Sequence, residues 1–142
     1  MIDTSIAKGQ CLCGKVELHT SYRSVHVGAC HCTTCRKWGG APYMEVNCGT
    51  DVTFVGEEFV KVFDSSEWAE RGFCSSCGSH LFYRLKGSQE HMVSVGLFDD
   101  SESFVFDNQV FIDEKPGFYS FAEETKNMTG AELFDKFAPE AD

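Results

Sequence analysis

The sequence predicts one mainly β domain of short antiparallel strands, with a small helix only near its C-terminus. Three observations lead there. From Val16 onward, apolar and polar residues alternate in runs of a few residues, the period of half-buried strands. Turn-forming or charged residues separate these runs at short intervals. Only Thr129-Gly130-Ala131-Glu132, ahead of Leu133 and Phe137, carries a capping box and a helical apolar pair. With 142 residues the chain suits a single domain, 1–142, and its 13 Phe supply a core with large side chains.

Taken in order, residues 1–9 read as a lead-in, and Gly9 and Gly14 bracket the pair Cys11-x-Cys13. Val16, Leu18 and Thr20 then alternate with Lys15, Glu17 and His19, and Val25, Val27 and Ala29 repeat the pattern into Cys30. Thr33 to Gly40 reads as one helical turn or a loop, stopped by Gly39-Gly40 and Pro42. Met44, Val46 and Cys48 share a strand face opposite Tyr43, Glu45 and Asn47. Strands follow over Val52–Val55, Phe59–Phe63, Leu81–Tyr83, Met92–Phe98, Phe104–Phe106 and Val110–Ile112. Pro116-Gly117 breaks the chain before Phe118–Phe121, and Pro139 stops the final helix.

The chemistry lies in the cysteines. Eight is a high count for a chain whose N-terminus shows no apolar run, since Asp3, Ser5 and Lys8 interrupt it. A cytoplasmic location is therefore expected, where clustered thiols signify metal or redox chemistry rather than disulfides. Cys11-x-Cys13 and Cys74-x-x-Cys77, each followed by Gly, have the spacing of a closed four-thiolate zinc site. A redox dithiol at Cys74-x-x-Cys77 is the alternative, but no βαβ pattern surrounds it. Cys30-His31-Cys32-x-x-Cys35 offers three thiolates, and a zinc with three protein ligands keeps a position open for chemistry. Two residues compete to close that position. Cys48 sits on an apolar strand face, where a free Cys behaves as a small hydrophobe. His31 points away from Cys30 and Cys32 if the backbone there is extended.

A formal net charge of −10 disfavours nucleic acid and anionic membranes as partners. Any anionic ligand must find local cations, and Arg36, Lys37 and Arg71 are the candidates nearest the cysteines.

In order along the chain, Cys11-x-Cys13-Gly14, Cys30-His31-Cys32-x-x-Cys35-Arg36-Lys37, Arg71-x-Phe73-Cys74-x-x-Cys77-Gly78 and Lys115-Pro116-Gly117-Phe118-Tyr119 form a recognisable set. The chain resembles the glutathione-dependent formaldehyde-activating family, related to centromere protein V, over about residues 9–122. The resemblance implies a zinc-bearing β-tent fold. It implies two zinc ions, a structural one at Cys11, Cys13, Cys74 and Cys77 and a functional one at Cys30, Cys32 and Cys35. It also implies a carbon–sulfur lyase activity on a glutathione conjugate such as S-(hydroxymethyl)glutathione. The rival expectation is a non-catalytic zinc module that binds glutathione or a protein. No general acid or base and no oligomeric state follow from the sequence.

Overall fold

The structure, a computed structural model, describes residues 6–137. Among these residues there are eleven strands and two helices. The strands are β1 (Ala7–Gln10), β2 (Glu17–Thr20), β3 (His26–Cys30), β4 (Tyr43–Asn47), β5 (Val52–Val55) and β6 (Val60–Phe63). They continue with β7 (Ala69–Cys74), β8 (His80–Leu85), β9 (His91–Ser94), β10 (Val105–Val110) and β11 (Lys126–Met128). The helices are α1 (Thr33–Gly39) and α2 (Gly130–Phe137). None of the described helices is long and apolar enough to cross a membrane.

Two sheets form. A three-stranded sheet runs β1-β2-β5, and an eight-stranded sheet runs β11-β10-β3-β4-β9-β8-β7-β6. Pairing is antiparallel except at β10, which lies parallel to both of its neighbours. The main core fills the space between the sheets. Leu18 and Phe54 enter it from the small sheet, and Val27, Val46, Phe82 and Val93 from the large one. The opposite face of the large sheet is also covered, and there Cys30, Cys35 and Tyr43 pack with Trp38, Tyr83, Met92 and Phe111. Burial on both faces explains β4, where Val46, with Cys48 just beyond the strand, enters the main core while Tyr43 on the other face is also buried.

Several elements differ from the sequence reading. Part of the lead-in is strand β1, which pairs with β2 from Ala7↔Thr20 to Gln10↔Glu17. α1 is a full helix rather than a single turn, capped by Cys32 and ended at left-handed Gly40. The runs expected over Phe104–Phe106 and Val110–Ile112 are bridged by polar residues into β10, and Phe111 (φ 53°) turns the chain out of it. Phe118–Phe121 forms no strand; its rings pack against one another and against His31 instead. The three residues of β11 are too few and too polar to read as a strand, and pairing with β10 creates it. The capping box of α2 is present and reciprocal, with Glu132 N donating to Thr129 Oγ1 (3.1 Å) and Thr129 N to Glu132 Oε1 (2.9 Å). Pro139, the side chain of Phe137 and the first five residues of the lead-in lie outside the described residues.

Cys48 is fully buried in the main core, where burial pushes its thiol up to about 12. Cys48→Ala is therefore expected to leave both cysteine clusters intact and to cost about 1 kcal/mol for a small cavity. Thermal unfolding together with metal analysis checks both halves of that expectation.

Candidate functional site

The first cluster joins the two sheets. Cys11 and Cys13 follow β1, Cys74 ends β7, and Cys77 lies in the turn before β8. All four Sγ atoms lie within 4.8 Å of one another. The Cys11–Cys13 and Cys13–Cys74 separations are 3.6 and 3.8 Å. A tetrahedral zinc with Zn–S bonds near 2.3 Å sets its sulfurs about 3.8 Å apart, so the spacing fits that ion. Each loop is a tight knuckle, in which Gly14 N bonds Cys11 O and Gly78 N bonds Cys74 O. Gly14 and Gly78 both adopt φ near +80° with open space where a Cβ would stand, so backbone conformation alone calls for glycine. The knuckles also hold each other through Leu12 N to Ser79 Oγ (3.0 Å) and Lys15 Nζ to Ser76 Oγ (3.1 Å). The Ser79 hydroxyl, 3.2 Å from the Cys77 sulfur, holds that thiol down at about 5.

The second cluster lies where β3 passes into α1. Cys30 ends the strand, Cys32 caps the helix and Cys35 sits one turn along it, so a strand end and a helix start aim three sulfurs together. The sulfurs lie within 4.8 Å of one another, and among the described residues no further Cys, His, Asp or Glu ligand atom joins them. Hydrogen bonds from Cys30 and Cys35, with help from the Cys35 backbone N–H and Arg71, hold the Cys32 thiol near 2. The hydrogen bonds with Cys32 and Cys35 push the Cys30 thiol upward in turn.

Arg71 lies beneath this cluster rather than at the surface. It is 3% exposed, and Nη1 and Nη2 each stand 3.5 Å from the Cys35 sulfur. Its guanidinium is flanked by the Trp38 and Tyr83 rings, with centroids 5.0 and 4.9 Å away, and Trp38 stacks on His80. Nearby, burial pushes the Glu45 carboxyl up to about 8 against the pull of Arg71.

Arg36 and Lys37 face the other way. Thr33, Arg36, Lys37 and Gly40 line a groove of about 560 Å³ with Met44, Phe118, Tyr119 and Phe121. On a helix these α1 positions lie opposite Cys35 and Trp38, which turn to the thiols. The three cations named in the sequence thus divide between two faces, two in the groove and one under the sulfurs.

His31 also faces away from the thiols. It is fully buried, with Nε2 at 2.7 Å from Gln109 Oε1 and Nδ1 at 2.6 Å from the Tyr119 hydroxyl. Burial lowers its pKa, so the ring is neutral at physiological pH. Neither His31 nor Cys48 completes the second cluster. Tyr119, Gln109 and Trp38 are the site residues that the cysteine spacing did not single out. Tyr119 lies 88 positions from His31, and no local pattern links them.

Residues 6–114 match the family model described as "Glutathione-dependent formaldehyde-activating enzyme". An "uncharacterized lyase" of Schizosaccharomyces pombe is 35% identical over 127 residues, spanning 89% of this chain and 93% of that protein. A "putative glutathione-dependent formaldehyde-activating enzyme" of Phaeosphaeria nodorum is 34% identical over 100 residues. That match covers 60% of this chain and 52% of the longer relative. The crystal structure of a Rhodobacter sphaeroides protein shares the fold, with a TM-score of 0.57 at 24% identity over 66% of this chain and 88% of that one. The matched residues take in every cysteine of both clusters, and on that ground this chain belongs to the glutathione-dependent formaldehyde-activating enzyme family.

Proposed function

We propose that the protein is a zinc-dependent carbon–sulfur lyase acting on a glutathione conjugate such as S-(hydroxymethyl)glutathione. The observation that carries this reading is the three-thiol cluster without a fourth side-chain ligand among the described residues. Cys11, Cys13, Cys74 and Cys77 hold a structural zinc, and Cys30, Cys32 and Cys35 hold the functional one. A zinc bound by three thiolates supplies a soft Lewis-acid position suited to sulfur ligands.

The chain's own residues do the rest. Arg71 offsets negative charge at the thiols, and Trp38, Tyr83, Met92 and Phe111 keep water from them. Arg36 and Lys37 meet a ligand carboxylate. In the reaction the C–S bond breaks with its electron pair passing to sulfur. The carbinol O–H gives up its proton as the formaldehyde C=O forms, and sulfur takes one up, so glutathione and formaldehyde leave. The partner is a small molecule; the charge of −10 opposes nucleic acid.

Exchange of formaldehyde between its free and glutathione-bound forms, followed by NMR, tests the reading. The zinc-loaded protein is expected to accelerate exchange beyond the spontaneous rate. Cys32→Ser is expected to stay folded, to keep only the four-thiol zinc and to lose the acceleration. A folded protein carrying both zincs that binds glutathione without accelerating exchange would be a binding module instead.

A further inference from the structure

Two polar groups beside the three thiols lack hydrogen-bond partners. The first is the Glu45 carboxyl. Glu45 shares a face of β4 with Tyr43, and its cross-strand neighbours are Gly28 on β3 and Ser94 on β9. Cys30 lies opposite Tyr43, so one step of the pleat, about 7 Å, separates Glu45 from the cluster. The charge of Glu45 is felt at Cys30, Tyr43 and Tyr83, and Glu45 feels Arg71 and Cys32 in turn. Its carboxyl nevertheless makes no hydrogen bond or ion pair among the described residues.

The donors around that carboxyl are committed elsewhere. Ser94 Oγ donates to the Tyr43 hydroxyl (3.1 Å), which donates to Met92 O (2.8 Å). The Asn108 side chain lies over Gly28, where it leaves no room for a Cβ. Both hydrogens of its amide go to other acceptors, Val27 O (3.2 Å) and Asp107 Oδ1 (3.0 Å). The second group is Arg71 Nε, a wholly buried donor with no partner among the described residues. Its two Nη atoms face the Cys35 sulfur.

A carboxylate only accepts and a guanidinium only donates, yet these two do not pair with each other. Keeping a half-buried carboxylate unpaired costs stability, and unsatisfied groups of this kind in a native fold call for a reason. An acceptor and a donor together are complementary to a hydroxyl, which gives one hydrogen bond and takes another at the same oxygen. Cys32 and Glu45 both keep contact with solvent while Cys30 and Cys35 are buried, so a ligand can reach them.

We propose that Glu45 is the general base of the reaction and that Arg71 Nε holds the reacting oxygen. This rests on the reading that the protein cleaves a hydroxymethyl thioether. The carbinol O–H donates to Glu45, and its oxygen accepts from Arg71 Nε. As the C–S electron pair passes to sulfur, the O–H proton passes to the carboxylate and the formaldehyde C=O forms. The Glu45 carboxyl then gives that proton to the thiolate sulfur and is ionised again. Arg71 Nε–H stays on the oxygen throughout, where it opposes the negative charge that develops as the proton leaves.

The test combines formaldehyde exchange by NMR, calorimetry with glutathione, metal analysis and thermal unfolding on the zinc-loaded wild type, Glu45→Gln and Glu45→Ala. Glu45→Gln is expected to keep both zinc ions and its affinity for glutathione, and to melt no lower than wild type, since no partner of the carboxyl is lost. Its exchange above the spontaneous rate is expected to fall about a hundredfold, the scale of general acid–base catalysis. Glu45→Ala is expected to fall as far, and added formate, a small carboxylate, to restore part of the rate. The proposal is overturned if Glu45→Gln exchanges at the wild-type rate, or if formate leaves Glu45→Ala unchanged. Loss of zinc or of glutathione affinity in step with the rate marks a structural role and overturns it too. If wild type accelerates and Glu45→Gln keeps pace, the lyase reading stands and this base alone falls. If wild type gives no acceleration, both fall.

Discussion

Cys74→Ser is expected to yield no folded protein, even in zinc-rich medium. Cys74 is fully buried at the end of β7 and shares its cluster with Cys11 and Cys13, which follow β1 on the other sheet. The cluster therefore pins the small sheet to the large one and closes a loop of about sixty residues, whose freedom in the unfolded chain is otherwise considerable. Structural zinc sites contribute about 10–16 kcal/mol of apparent binding free energy, and a whole domain is stable by about 5–15 kcal/mol. Loss of the zinc with that thiolate removes a margin comparable with the total. Circular dichroism and amide chemical-shift dispersion of the variant, beside those of Cys32→Ser, give the measurement. A Cys74→Ser protein with native dispersion would show that the sheets hold together by packing alone.

Arg71→Met is expected to give a folded protein whose second zinc is bound about a hundredfold more weakly, about 2.7 kcal/mol. Three thiolates around a divalent ion leave one net negative charge, in a place where Cys30 and Cys35 are almost wholly shielded from water. Arg71 supplies the opposite charge at 3.5 Å from Cys35. Methionine fills the space between Trp38 and Tyr83 but leaves that charge unpaired, and removing one partner of a buried pair costs about 3–5 kcal/mol. Arg71→Lys is expected to recover part of the loss, since an ammonium restores the charge without the planar fork. Competition against a chromogenic chelator reads both variants. The four-thiol zinc should be unaffected, and a second zinc held as tightly in Arg71→Met as in wild type would remove Arg71 from the site.

The cysteine groups were legible because metal geometry is local. Cys30, Cys32 and Cys35 fall within six residues, and the Gly-ended pairs form self-contained knuckles. The strands were legible wherever one face is apolar, as in Val16, Leu18 and Thr20. Placement across the fold was not. Arg71 looks like any charged residue three positions before a clustered cysteine, and only the pairing of β7 with β8 turns it under the thiols beside Tyr83. The helix α1 divides Arg36 from Cys35 although they are adjacent, because neighbours on a helix point about 100° apart. The aromatic run Phe118–Phe121 forms no strand because its rings are recruited to His31 and the groove. An aromatic run has strand-like composition, and nothing local distinguishes it from a wall built to pack on a distant ring.

The parallel pairing of β3 with β10 carries a consequence for biosynthesis. His26 meets Val105 and Cys30 meets Val110, so a strand near the start of the chain waits for one about eighty residues later. At 5–20 residues per second, a ribosome needs on the order of ten seconds to supply that neighbour. Through that interval the β3 edge is open, and neither Val110 nor Phe111 is there to cover Cys30. Nascent chains thus present bare thiols to the cell before a finished pocket can hold a metal. Oxidants and competing metals have their best access during translation, and the order of the strands sets how long that access lasts.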